Sequence, residues 1–257
     1  MKLKDRIEIY QNNCDFKLLN RLPFIVVVNG RSFSKVTNLV DKPYCPKLAE
    51  CLSSTLMKLC LEIEGSVFGY QYSDEIVIIV NGEVNDNGWY NNRIQKITSI
   101  TSSIATLHFN RCASAIELNL MSEAIFSSQV FAVPSIIEAI NLLIFKQQHN
   151  FYTSIQFACF YELLKKYDKN TIFNKLRGLN VEEKGDLLLQ ECGINFSNYP
   201  LAFKRGVTCF KANKIEHGSI KNKWVCDENI PIFTEESEYL NNIIKNNKNI
   251  SLKYDLF

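Results

Sequence analysis

The order of its apolar runs limits the folds open to this chain more than any other feature. From Phe24 onward, FIVVVN is continuously apolar and rich in β-branching, the pattern of a central strand covered on both faces. KPYCPKLAECLSSTLMKLCLEI follows, with Pro46 placed for a first helical turn. Leu48, Leu52, Leu56 and Leu59 or Cys60 recur at helical spacing, up to a stop at Gly65. Two further apolar runs, SVFGYQY and IVIIV, are separated by Ser73-Asp74-Glu75 alone, which predicts a hairpin with the acidic cluster at its turn. YNNRIQKITSITSSIATLHFN then reads as a helix with Ile94, Ile97, Ile100 or Thr101, Ile104 and Leu107 or His108 on one face. AIFSSQVFAV reads as a fourth strand, closed by Pro134. Strand, helix, strand, strand, helix, strand is the split βαβ order. The expected class is therefore α+β, with a ferredoxin-like, polymerase-type palm: an antiparallel sheet carrying helices on one face.

The second half reads as mainly helical. PSIIEAINLLIFKQQHN, SIQFACFYELLKKY and VEEKGDLLLQECG predict three helices, the last stopped by Gly193. A basic turn, FKRG, runs into a strand; KIEHGSIKNKWVCDE predicts a hairpin, and TEESEYLNNIIKNN a closing helix with a capping-box start at Thr234. Residues 1–20 are expected to form an N-terminal helix. The character changes near residue 134, which divides the chain into a palm-like catalytic domain, 1–133, and a helical and hairpin extension, 134–257, packed on it as one compact unit.

With 257 residues, 46% hydrophobic and 22% charged, the chain can bury a substantial core. A formal net charge of +2 does not by itself favour a polyanion partner, so nucleic-acid binding would need a local basic patch. Nine cysteines form no CxxC pair and three histidines are dispersed, which argues against a structural zinc site and a disulfide framework. Buried, reduced cysteines fit a cytoplasmic protein. The segment MKLKDRIEIYQNNCDF lacks a signal-type apolar core, and no run approaches the ~20 apolar residues of a membrane span. A soluble protein with no membrane partner is expected.

Two polar clusters sit where apolar runs meet turns: Asn29-Gly30-Arg31 and Ser73-Asp74-Glu75. Carboxylates at the ends of adjacent strands suit Mg²⁺, which takes hard oxygen ligands. In extended backbone Asp74 and Glu75 point to opposite sides, so only one of them faces the Asn29 side. Asn29 brings an amide oxygen without charge; Asn-Gly at a strand end is also a turn former. Lys42, near the start of the first long helix, can reach a triphosphate with helix N–H groups assisting. Arg93 and Lys96, three residues apart, can neutralise phosphate. Lys204, Arg205 and Lys211 form the clearest basic patch and, with Lys146, can track RNA phosphates. Tyr199 and Phe203 beside them suit core packing or base stacking.

Six segments, in order over roughly residues 20 to 211, resemble the tRNA-histidine guanylyltransferase family and its bacterial-type like-proteins. They are NGRSF with KPYCPKL, GYQYSDEIVIIV, YNNRIQKITSITSSIA, FSSQVFAVPS, FKQQHNFYTSIQFACF and INFSNYPLAFKRGV. The resemblance implies a nucleotidyltransferase that adds nucleotides to the 5′ end of tRNA, in the 3′–5′ direction, by 5′-end repair or guanylylation. It implies ATP or GTP as substrate, two Mg²⁺ ions and a homotetramer. Carried onto this chain, catalysis falls to Asp74, Glu75 and Asn29, and metal binding to Asp74, Asn29 and the Gly30 carbonyl. Nucleotide contacts fall to Gly30, Arg31, Ser32, Phe33, Ser34, Lys42, Ser73, Arg93 and Lys96, with the last two flanking the metal site. RNA contacts fall to Lys146, Lys204 and Arg205. Asp74 is the primary ligand on the Asn29 side in this reading, and Glu75 is secondary or structural.

The chain departs from the family pattern at several positions. Asn29 stands where the family has a metal-binding aspartate, Ser34 where many members have histidine, and Ser127 and Gln129 where they have aspartate and arginine. FYTS, residues 151–154, replaces a histidine-containing segment. These changes point to the like-protein branch or a divergent paralogue. For Asn29 three explanations stand: a weakened site helped by the nucleotide phosphates, a nucleotide or tRNA binder without turnover, or a substitution made to trap a complex. A palm enzyme making an oligo- or cyclic nucleotide is the further alternative.

Overall fold

The computed structural model describes residues 1–82, 88–216 and 219–245. The continuous apolar run becomes β1, Phe24–Gly30, in the interior of a six-stranded antiparallel sheet of order β4-β1-β3-β2-β5-β6. The expected hairpin is β2, Ser66–Tyr72, and β3, Glu75–Val80; β4 is Phe126–Ala132. β5, Val207–Glu216, joins the edge of β2, and β6, Ser219–Asp227, pairs with β5. The tip of that last hairpin, at residues 217 and 218, lies outside the described residues.

Alternation along the central strands sends side chains into two cores. Val26, Val28, Ile76 and Ile78 face one layer, where they meet α3, Pro46–Glu62, and α4, Ile94–Ala115. Ile25, Val27, Val77 and Ile79 face the other, which is covered by the first half of α5, Ile136–Leu163, and by Ile230, Phe233, Leu240, Ile243 and Ile244 of the C-terminal segment. This burial on both faces explains why β1 and β3 carry apolar residues without alternation. A third cluster joins the far half of α5 to α6, Lys169–Leu176, and α7, Val181–Cys192.

Several elements differ from expectation. The N-terminal helix, α1, is only Leu3–Asn12 and buries no residue. In α4 the core face is Ile97, Thr101, Ala105, Phe109 and Ala113, while Leu107 points outward. Small residues at 101 and 105 bring that helix close to β4, and Thr101 donates to Ser128 Oγ at 2.7 Å. The two helices expected on either side of residue 150 are one helix, α5. Thr153 and Ser154 turn their hydroxyls back onto the carbonyls of His149 and Phe151, and no proline or glycine interrupts the run. Helix α6 was not expected; Asp168 caps it by accepting from the backbone N–H groups of Asn170 and Thr171. The closing helix begins at Ser237, not Thr234, because Glu235 and Glu236 turn back onto the Ile232 carbonyl first. Its expected end, beyond residue 245, lies outside the described residues.

Candidate active site

The β2–β3 turn brings the acidic cluster against the end of β1. Ser73 adopts a left-handed conformation (φ 47°) and closes the turn, and Gly30 N–H donates to the Asp74 carbonyl at 3.1 Å. The two strand tips named by the sequence are therefore adjacent. The register corrects the expected sidedness. Asn29 lies directly across from Glu75, and cross-strand partners share a face, so Glu75, not Asp74, is on the Asn29 side. The Asp74 carboxylate instead reaches over Gly30: a β-carbon built on Gly30 would stand 3.0 Å from Asp74 Oδ2.

These tips open into a cavity of about 520 Å³. Asn29, Ser73, Asp74 and Glu75 form one end of it. The short helix α2, Phe33–Val36, and the segment leading to α3 supply a second wall with Ser34, Thr37, Asp41, Lys42 and Tyr44. α5 supplies a third, in which Asn150, Ser154, Phe157 and Tyr161 repeat at helical spacing. Phe203, on α8, Leu201–Arg205, closes the wall and packs on Tyr44 with ring centroids 5.8 Å apart. One side of the cavity is therefore acidic and the other aromatic.

Burial raises the Asp74 carboxyl above its ordinary range; Glu75 adds to this, while Ser73 and Lys42 oppose it. Ser73 Oγ donates to Asp74 Oδ1 at 3.2 Å. Lys42 is held by Thr37 Oγ1 at 3.1 Å and lies over the Phe157 ring at 5.8 Å. Burial lowers its pKa, against the attraction of Cys45 and Asp74. Glu75 is engaged by Lys146 of α5, with Nζ 2.6 Å from Oε1.

The remaining expected residues divide. Phe33 and Ser34 line the cavity. Arg31 and Ser32 are exposed beside it, where the Arg31 N–H donates to the Ile125 carbonyl. Arg93 and Lys96 do not flank the acidic cluster. Arg93 precedes α4 and pairs with Asp15 at 2.7 Å, and its neighbour Asn92 lines a crevice with Phe24 and Val80, at the opposite end of β1 from Gly30. Seven strand residues span roughly 20 Å. The reason is topological: β3 runs away from the site before α4 begins. The three expected RNA contacts all have internal partners. Lys146 holds Glu75, Lys204 Nζ donates to the Ser197 carbonyl, and Arg205 Nη1 to the Ile230 carbonyl at 3.0 Å.

Asp74 and the Gly30 carbonyl are suitable donors for a divalent ion that also takes phosphate oxygens. Among the described residues, however, no three Asp, Glu, His or Cys side chains converge as a metal site. The α5 residues Asn150, Ser154, Phe157 and Tyr161 were not among the expected site residues; their shared helical face becomes a cavity wall only through the docking of α5.

Comparison with known proteins adds a family. The model for tRNAHis guanylyltransferase matches residues 4–134. An uncharacterized protein of Acanthamoeba polyphaga mimivirus is 26% identical over 266 residues, covering 94% of this chain and 87% of that protein. A probable tRNA(His) guanylyltransferase of Dictyostelium discoideum is 26% identical over 200 residues, covering 76% and 77%. A bacterial tRNA(His) guanylyltransferase-like protein, solved in complex with ATP, has a TM-score of 0.81 at 27% identity over 95% of this chain and 99% of that one. A structure of such a bacterial protein in complex with GTP gives 0.75 at 28% identity, over 92% and 96%.

Proposed function

The chain belongs to the tRNAHis guanylyltransferase family, a family of nucleotidyltransferases, and from that premise we propose that it adds nucleotides to the 5′ end of a tRNA in the 3′–5′ direction. The observation that carries this reading is that Asp74, Asn29 and Lys42 line one cavity together with an aromatic wall. A nucleoside triphosphate suits it. Lys42 neutralises the phosphates, and the start of α3, which opens on the cavity through Cys45, Leu48 and Ala49, adds the favourable end of the helix dipole. Tyr44, Phe157 and Phe203 form an apolar surface for the base. Phosphoryl transfer depends on alignment and charge neutralisation more than on covalent participation by the protein. Mg²⁺, when bound, would supply charge neutralisation at the reacting phosphate, and Asp74 and the Gly30 carbonyl are the groups of this chain that would hold it.

Asn29 favours a second reading, in which the chain binds nucleotide or tRNA with little turnover. One experiment separates the two. The chain is incubated with labelled ATP or GTP, Mg²⁺ and a 5′-truncated tRNA. Label entering the tRNA, lost in Asp74→Asn, supports the transferase. Label entering only with Asn29→Asp supports the binder. No incorporation by either chain refutes the transferase reading.

A further inference from the structure

Resting on the nucleotide site above, we propose that this chain holds a single divalent ion, carried by the triphosphate, and that Asn29 is what keeps a second ion out. Three carboxylates line the cavity: Asp41, Asp74 and Glu75. Glu75 is committed to Lys146 at 2.6 Å, with both side chains less than one fifth exposed. Asp41 sits on the segment between α2 and α3, and among the described residues no three acidic, histidine or cysteine side chains converge. Asp74 makes no ion pair among the described residues; its side-chain hydrogen-bond partner is the Ser73 hydroxyl.

The position opposite Glu75 therefore decides the count. Asn29 occupies it, in register across β1 and β3. Mg²⁺ is commonly held by one or two carboxylates together with substrate phosphates. An ion chelated by a triphosphate needs only Asp74 from the protein. An ion outside the triphosphate meets a neutral amide at position 29, with Glu75 on the same face already paired with Lys146. Replacing a carboxylate by an amide removes a full unit of charge at contact distance, where Coulomb attraction is largest. The site as built grips the ion that arrives with the nucleotide and lacks the anion that would hold another.

The test uses Mn²⁺ as probe, with the full chain saturated by α,β-methylene-ATP. Two Mn²⁺ about 3.5–4 Å apart are spin-coupled, so electron paramagnetic resonance separates a lone ion from a pair without any turnover. The native chain is expected to show one uncoupled Mn²⁺ on the protein and Asn29→Asp a coupled pair. Lys146→Gln, which frees Glu75, gives a second route to the pair if Asn29→Asp does not fold. A coupled pair in the native chain overturns the proposal. So does a lone ion in both Asn29→Asp and Lys146→Gln. Analogue binding is measured separately by calorimetry. If the native chain does not bind the analogue, the nucleotide reading itself falls, which is a different result from a wrong ion count.

Discussion

Gly30→Ala tests whether the two strand tips are packed as tightly as described. A methyl group there would lie 2.5 Å from Phe33 Cδ2, 2.8 Å from Phe33 Cγ and 3.0 Å from Asp74 Oδ2. The backbone of Gly30 is not left-handed, so the conflict is one of space alone. Phe33 has little freedom to retreat: it is buried, with its ring 5.5 Å from Phe109 and 5.8 Å from Phe126. Overpacking of this kind costs about 1–3 kcal/mol. The reduced entropy of the unfolded chain returns roughly 0.4–1 kcal/mol. The difference is roughly 0–2.6 kcal/mol, about 1.3 kcal/mol at mid-range, and at ~2–4 °C per kcal/mol for a chain of this size the mid-range value lowers Tm by about 3–5 °C. Because the methyl also presses on the Asp74 carboxylate, nucleotide incorporation should fall below what the remaining folded fraction accounts for. Thermal unfolding and incorporation into a truncated tRNA, both at a temperature well under the lowered Tm, make the comparison. Gly185→Ala is the control. It lies within α7, the nearest atom to its added methyl is 3.9 Å away, and helix propensity favours alanine by up to about 1 kcal/mol. A Gly30→Ala chain with native Tm and native incorporation would refute this account of the strand tips.

Asp74→Asn should stabilise the protein while abolishing incorporation. Burial raises the Asp74 carboxyl, and a carboxylate whose pKa rises on folding destabilises the native state above the folded pKa but not below the unfolded one. In metal- and nucleotide-free buffer the gain in Tm is therefore largest at neutral pH and shrinks as pH falls through the carboxylate range; a gain that grows on acidification would contradict this. Arg205→Ala should act on stability, since Arg205 donates a charged hydrogen bond to the Ile230 carbonyl, worth ~1.5–3 kcal/mol. A urea unfolding curve with an unchanged midpoint, together with a shallower salt dependence of tRNA binding, would return Arg205 to an RNA-contact role.

Much of this protein was legible in its sequence. Uninterrupted β-branched runs at 24–28 and 76–80 announced strands buried on both faces, and Ser73-Asp74-Glu75 between two such runs announced a hairpin with carboxylates at its tip. These readings hold because strand burial and turn chemistry are written in neighbouring residues. The α5 wall of the cavity was not legible, because Asn150, Ser154, Phe157 and Tyr161 acquire their role only when α5 crosses the second face of the sheet. Nor was the placement of Arg93 legible: spacing along a helix puts it beside Lys96 but says nothing about which end of the sheet that helix starts from.

A strand ending in Asn-Gly, a hairpin tipped by Asp-Glu and an uncharged position 29 follow from neighbouring residues alone. Which carboxylate stands opposite that amide follows from the packed fold. The antiparallel register pairs Asn29 with Glu75, and α5 brings Lys146 to within 2.6 Å of it, leaving Asp74 without an ion-pair partner among the described residues. Register and helix docking are set by contacts between residues far apart in the chain, and a shift of one residue would have exchanged the roles of the two carboxylates.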